Sequence, residues 1–249
     1  MNILVCISRV PDTASRIIVA SGGKTIDNTG IKFVVNPYDE IAIEEGLRLR
    51  EKNGGTVTCV VLGTEVSKDI LRTALAMGVD KAVIIKTADD NYDSYFTAEN
   101  LANYAKTLNP DIILLGKQSV DYDSLQMPST LGELLNMPSV SVVTKLTIEG
   151  TNVTAEREVE GGKEVISSTL PCIISAQKGL NDPRYPKLPD IMKAKSKPIE
   201  EVAAIEVAAR VEIVGLEMPS KKRIGKLVTD SEVDIAEIVK LLHEEAKVI

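Results

Sequence analysis

The chain has 249 residues, 44% of them hydrophobic, enough for one large α/β domain or for one domain plus an extension, with a core that needs no covalent staples. Its formal charge of −7 comes from acidic residues scattered among basic ones, so the concentrated positive face that a phosphodiester backbone demands is missing and nucleic acid is excluded as a partner. A single histidine, His243, and three cysteines without CxxC spacing exclude a histidine-cluster metal centre, a Ser-His-Asp triad and a disulfide framework.

Taken in chain order, apolar runs of strand length alternate with helical patterns. "NILVCIS" (2–8) predicts a first strand, "NPYDEIAIEEGLRLREK" (36–52) a helix, "TVTCVVLG" (56–63) a strand and "SKDILRTALAMG" (67–78) a helix. "DKAVIIK" (80–86) then predicts a strand, "SYFTAENLANYAKTL" (94–108) a helix, "PDIILLG" (110–116) a strand, and a further helix opens at Pro128. Strands without polar alternation are buried on both faces, and strands separated by helices pair in parallel through right-handed crossovers. The expected fold is therefore an α/β, doubly wound, mostly parallel Rossmann-like sheet. Cys6, Cys59 and Cys172 lie inside these apolar runs and read as small buried hydrophobes of a reducing compartment.

After residue 138 the pattern changes to "SVSVVTKLTIEG", "TNVTAEREVEGG", "KEVISSTL" and "PCIISAQ", with turn signals at "EGTN" and "EGG", which predicts an antiparallel hairpin element on the sheet edge. Residues 179–197, "GLNDPRYPKLPDIMKAKSK", are rich in proline and lysine and predict an exposed, ordered loop. An acidic Ala/Val-rich stretch, a basic "PSKKRIGK" and a last amphipathic helix follow. In that helix Ile235, Ile238, Val239, Leu241 and Leu242 cluster on one side and require a docking surface. The division expected is 1–178 as an α/β domain, 179–198 as a separate loop and 199–249 as a C-terminal extension and arm. The N-terminus enters a strand without a signal peptide, and no apolar stretch reaches the ~18 residues of a membrane helix. The setting expected is cytoplasmic, without membrane insertion.

In doubly wound sheets ligands bind beyond the carboxyl ends of the strands. The loop "SRVPDT" after the first strand has Pro11 to fix a turn and Asp12 to hold backbone amides, leaving main-chain groups at Cys6 and Ile7 to read an adenine edge; a tight turn without a ligand fits equally well. Asn36 before Pro37 reads as a helix N-cap, with Asp39 and Glu40 complementing the helix dipole. In "GKQSVDYDSLQMPST" (116–130), Pro128 at the first helical position with Ser129 and Thr130 in the first turn offers unpaired backbone N–H groups and hydroxyls to an anion. Asp121 and Asp123 would repel a phosphate, so they are assigned to ribose hydroxyls or to loop amides. No GxxxxGK[ST] motif grips β- and γ-phosphates, which points to AMP or a dinucleotide and away from phosphoryl transfer.

The segments "VNPYDEIAIEEGLRLREK", "LRTALAMGVDKAV", "LLGKQSVDYDSLQ", "EREVEGG" and "LNDPRYPKLPDIMKAK" together resemble the β subunit of electron-transfer flavoproteins, from Met1 to about Lys197. The resemblance implies an electron-carrier subunit, not an enzyme, in a heterodimer with an α subunit. FAD is then held mainly by α, and this chain, a fold of adenine-nucleotide-binding type, holds an AMP with no redox role. Electrons would arrive from flavoprotein dehydrogenases such as acyl-CoA dehydrogenases and leave to a quinone-linked oxidoreductase or another acceptor. By position in the motifs, the AMP contacts fall at Cys6, Asn36, Pro37, Tyr38, Asp39, Leu62, Ser119, Val120, Asp121, Tyr122, Asp123, Ser124, Leu125, Gln126, Met127, Pro128, Ser129 and Thr130. Leu188 matches the leucine that anchors the family's recognition loop in a dehydrogenase, with Lys193 beside it, and Arg157 and Glu158 match residues at the flavin face and subunit boundary. Two positions depart from the family: Tyr122 and Leu125 interrupt a loop that is usually small and polar, so Tyr122 is expected to shield or crowd the pocket. "CISRVPDT" partly resembles electron-bifurcating relatives that bind a second FAD in place of AMP and oxidise NADH, but Ser8 and Arg9 stand where those have lysine and glutamine.

Overall fold

The computed structural model describes residues 1–90, 92–219 and 227–249; most of the basic "PSKKRIGK" run lies outside them. Strands β1 (Asn2–Cys6), β4 (Thr56–Gly63), β5 (Lys81–Lys86), β6 (Ile112–Gly116), β7 (Ser139–Glu149), β8 (Asn152–Val159), β9 (Gly162–Thr169), β10 (Cys172–Ala176) and β11 (Glu200–Ala203) form one sheet in the order β11-β5-β4-β1-β6-β10-β7-β8-β9. Pairing is parallel from β11 to β7 and antiparallel through β8 and β9. A separate ribbon joins β2 (Arg9–Pro11) to β3 (Phe33–Val35), so Pro11 ends a short strand where a turn was expected.

The double winding follows from side-chain alternation along strands buried on both faces. Ile3, Val5, Val57, Cys59, Ile112, Leu114 and Ile174 point to one face, where α1 (Pro37–Asn53) and α2 (Lys68–Met77) cover them with Ile43, Leu47, Leu71 and Leu75. Leu4, Cys6, Val60, Leu62, Ile113, Leu115 and Ile173 point to the other, under α3 (Ser94–Leu108) and α4 (Met127–Leu135). The ends of α3 are chemically marked: the Asp93 carboxylate accepts from Phe96 N at 2.8 Å, and Asn109 adopts the left-handed conformation that stops the helix.

Three expectations need correction. "PCIISAQ" belongs to the parallel interior, because β10 inserts between β6 and β7 instead of extending the hairpin. β7 serves both partners by bending at a bulge, where Val142 is forced to φ 63° and its N–H is satisfied by Ser175 Oγ at 2.9 Å. The 179–197 segment contains a helix, α5 (Leu188–Ala194), with Pro189 in its first turn. The Ala/Val-rich stretch supplies β11, whose pairing with β5 is reinforced by Lys68 and Lys86 bridging Glu65 and Glu201.

Beyond β11 the chain crosses α3. Asn100 Oδ1 accepts from Ile205 N at 2.8 Å, Asp93 Oδ2 from Arg210 N at 2.6 Å, and the Arg210 guanidinium stacks 3.7 Å over the Tyr95 ring. The terminal helix α6 (Glu232–Lys240) is capped by Ser231 and has no buried residue. No described helix is long and apolar enough to cross a membrane.

Candidate functional site

The candidate site is assembled at the carboxyl edge of the sheet by two buried polar side chains from the start of α1. Asp39 accepts from Ser8 N at 2.7 Å through one carboxylate oxygen and from Gly116 N at 2.8 Å through the other, joining the ends of β1 and β6. Asn36, fully buried, donates from Nδ2 to Gln118 O at 2.9 Å and accepts from Val120 N at 3.3 Å, while its own N–H donates to Ser8 O at 3.0 Å. Its side chain makes no cap bond, which corrects the N-cap assignment; only its carbonyl serves the first turn, accepting from Asp39 N and Glu40 N. The residue sits at the cap position because Pro37 follows, and its amide is free to hold another loop.

Gly116 is required by this closeness. A Cβ there would lie 2.4 Å from Asp39 Oδ1 and 2.6 Å from Tyr38 Cβ. Gly63, at the end of β4, is similarly confined: a Cβ there would lie 2.4 Å from Ser67 Oγ.

Burial pushes the Asp39 carboxyl up to about 7, against hydrogen bonds from Asn36, Ser8 and Gly116 that lower it. A carboxyl raised from 3.8 to about 7 takes up a proton on folding; its contribution to stability is complete below about pH 4 and is lost as pH rises through about 7. Asp39→Asn should therefore flatten the fall in unfolding free energy between about pH 5 and pH 8. Identical slopes for wild type and variant in denaturant titrations would contradict this assignment.

The same edge carries most of the nucleotide residues expected from sequence. Cys6 ends β1 beside Val60, and Leu62 lies two residues further along β4, where its carbonyl accepts from Tyr92 OH at 3.1 Å. Burial raises the Cys6 thiol, so it stays protonated at neutral pH and serves as packing. In the 117–126 loop, Asp121 Oδ1 accepts from Tyr122 N at 2.9 Å, and Asp123, at φ 51°, accepts at Oδ1 from Gln118 Nε2 at 2.6 Å. Both carboxylates thus hold the loop, and Ser124 lies half-buried between them and α4. Tyr122 is 69% exposed and Leu125 is exposed too, so neither side chain fills the cradle.

Two expectations for α4 are corrected. The helix starts at Met127, with Gln126 at the cap and Pro128 second. Thr130 is committed to its own helix, its N–H and its hydroxyl both donating to Gln126 O at 3.0 Å, while Ser129 remains exposed in the first turn.

Three participants were missed by sequence reading. Lys117, directly after Gly116, places its ammonium 4.9 Å from the Tyr38 ring centroid and so puts a cation at the start of the 117–126 loop. Asp90 accepts from Thr64 N and Oγ1 at 3.3 and 3.2 Å, fixing the loop after β4. Tyr92 stacks on Phe96 with centroids 5.5 Å apart. A lysine following a strand-end glycine was the available signal; the Asp90 and Tyr92 contacts cross loops and had none.

The remaining expected residues lie elsewhere. Arg157 and Glu158 are on β8, separated from β1 in the sheet by β6, β10 and β7; Arg157 pairs with Glu164 at 2.7 Å, and Glu158 stands opposite Lys163 on β9. Leu188 opens α5 and is 72% exposed, with Lys193 exposed in the last turn.

Comparison with known proteins agrees with this arrangement. The profile described as "Electron transfer flavoprotein domain" matches residues 24–207. The chain is 44% identical over 259 residues to "Electron transfer flavoprotein subunit beta" of Bacillus subtilis, covering all of both chains. It is 36% identical over 250 residues to the subunit so named in Syntrophomonas wolfei, covering all of this chain and 98% of that one. It is 39% identical over 257 residues to "Electron transfer flavoprotein subunit beta, mitochondrial" of Oryza sativa subsp. japonica, again over the full length of both. The chain belongs to the electron-transfer flavoprotein β-subunit family. Its place is thereby in electron transfer, as a carrier subunit and not as an enzyme. The full-length match extends the likeness past Lys197, to the C-terminal residues.

Proposed function

We propose that this chain is the β subunit of a heterodimeric electron-transfer flavoprotein that accepts electrons from flavoprotein dehydrogenases, acyl-CoA dehydrogenases among them. FAD held mainly by the α subunit, at the interface with this chain, supplies the redox chemistry, and AMP in this chain is structural. A quinone-linked oxidoreductase is the acceptor, and the compartment is cytoplasmic. The observation that carries the nucleotide reading is the clasp of Asn36 and Asp39 across the ends of β1 and β6 and the 118–120 loop, closed by a glycine that no Cβ could replace.

The donor set fits an adenine mononucleotide. The base is assigned to the strand ends at Cys6 and Leu62, although the Ile7 N–H expected to be free donates to Val60 O at 2.9 Å and the Leu62 carbonyl accepts from Tyr92 OH at 3.1 Å; residues 119–126 form a loop for a ribose, and Lys117 with the N-terminal turn at Met127–Thr130 offers positive potential for one phosphate. Arg157 and Glu158, on the β8–β9 ribbon, belong to the subunit boundary near the flavin. Residues 1–178 form the nucleotide-binding unit, 179–198 the segment that meets dehydrogenases, and 199–249 the C-terminal extension and arm that packs on this domain or on the α subunit.

The test is the nucleotide released by heat from the co-purified heterodimer. One FAD and one AMP per heterodimer is expected. Two FAD and no AMP would replace this reading with a bifurcating subunit that oxidises NADH at a second flavin. Arg9 is already engaged, donating to both Asp69 carboxylate oxygens at 3.1 and 3.0 Å and lying 3.9 Å over the Phe33 ring.

A further inference from the structure

The stripe Ile41, Glu44, Glu45, Arg48, Glu51 runs along one side of α1 at helical spacing. Glutamates on a helix face usually meet water, yet Glu44 and Glu45 are buried. What covers them is the 179–184 segment. Asn181 Nδ2 donates to Ile41 O at 3.0 Å and to Glu45 Oε2 at 2.9 Å. Arg184 donates to Glu44 from Nε at 2.7 Å, from its second guanidinium nitrogen at 3.0 Å and from its backbone N–H at 3.2 Å, and to Glu51 at 2.6 and 3.2 Å. Burial by itself would raise the Glu44 carboxyl; the Arg184 bonds outweigh it and hold it below its ordinary value.

Downstream, Arg72 on α2 donates to the carbonyls of Ala194, at 2.7 Å, and Lys197, and Ala194 is buried in the core. The segment between these two arginine anchors exposes Tyr185 (95%), Leu188 (72%) and Met192 (59%). Three large apolar side chains on an unbraced loop would fold back on their own domain; on a braced one they stay presented, and little order is lost on docking.

We propose that Arg184 is a positioning residue for electron acceptance: by clamping the loop to Glu44 and Glu51 of α1, it holds the Tyr185–Met192 apolar surface in the geometry that a flavoprotein dehydrogenase docks. This rests on the reading of Leu188 as the docking side chain. The planar guanidinium makes paired, directional bonds to both carboxylates from separate nitrogens, a geometry that the single nitrogen of an ammonium does not reproduce, so charge alone does not suffice.

The experiment uses the heterodimer with an acyl-CoA dehydrogenase reduced by its acyl-CoA substrate, and compares Arg184→Gln, Arg184→Lys, Glu51→Gln and Leu188→Ala. Arg184→Gln should raise the half-saturating concentration about tenfold, with unchanged kcat, unchanged flavin content and unchanged reduction by dithionite. Arg184→Lys should recover only part of this, and Glu51→Gln, which leaves the buried Glu44 pair intact, should give a smaller rise of the same sign. Amide hydrogen exchange at 185–193 should accelerate in the Arg184 variants and stay unchanged in Leu188→Ala. If Arg184→Gln and Glu51→Gln both retain wild-type half-saturation while Leu188→Ala loses it, the clamp has no positioning role and the docking reading stands. If none of the variants changes it, both are overturned.

Discussion

Gly116→Ala should empty the proposed nucleotide cradle and destabilise the chain by about 1–3 kcal/mol, the usual cost of forcing a methyl group into a filled space. The new Cβ would meet Asp39 Oδ1 at 2.4 Å, Tyr38 Cβ at 2.6 Å and the Tyr38 carbonyl carbon at 2.8 Å. Asp39 has nowhere to retreat, since its other oxygen is held by Ser8 N, and the backbone contact forces the first turn of α1 off the sheet. Moving that turn also drags Asn36 from Gln118 and Val120, so the 117–126 loop loses its anchor in the same step. Gly162, on β9, has open space around its Cβ position, and Gly162→Ala should stay within about 0.5 kcal/mol of wild type. Denaturant unfolding and nucleotide per heterodimer provide the measurement. A Gly116→Ala protein that kept its nucleotide and unfolded with Gly162→Ala would sink the cradle.

Leu188→Ala should leave folding, flavin content and heterodimer assembly intact while raising the half-saturating concentration for an acyl-CoA dehydrogenase roughly tenfold or more, the scale of a buried apolar anchor lost from a small interface. The side chain stabilises nothing in the free subunit that its exposure would not forfeit at little cost, because it is 72% exposed at the start of α5. Transient partners need a contact that forms and releases quickly, and affinity changes of this kind appear mainly in the dissociation rate. Stopped-flow transfer at limiting concentrations of the carrier is the check, with Ile18→Ala as a control, an exposed apolar residue between β2 and β3. Equal transfer kinetics for Leu188→Ala and Ile18→Ala would remove Leu188 from the docking surface.

Much of the fold was legible because strand burial and helix periodicity are local. The α3 boundaries, Ser94–Leu108, coincide with the predicted helix since Asp93 caps one end and Asn109 stops the other. "PCIISAQ" was misplaced because an apolar run gives no direction: it reads the same beside a hairpin as between two parallel strands. β11 was missed for the opposite reason, its residues being too exposed and acidic to carry a strand pattern until β5 offers an edge. In the site, the Asn36-Pro37 pair announced a helix start, but the cap expected of Asn36 yields to hydrogen bonds with Gln118 and Val120, over eighty residues away, which no local preference encodes.

By itself the sequence determined an α/β doubly wound chain with its strand-end loops after Ile7, Leu62 and Gly116, and a proline-braced segment around Leu188, because hydrophobic period, helix starts and the order of elements depend on neighbours along the chain. Only the tertiary structure decided what those loops are tied to: Asp39 to Ser8 and Gly116, Asn36 to the 118–120 loop, and Arg184 to Glu44 and Glu51. These are contacts between residues that the chain separates by 31 to 140 positions. Buried polar groups must find such partners wherever folding places them, and their pairing becomes visible only once the chain has closed on itself.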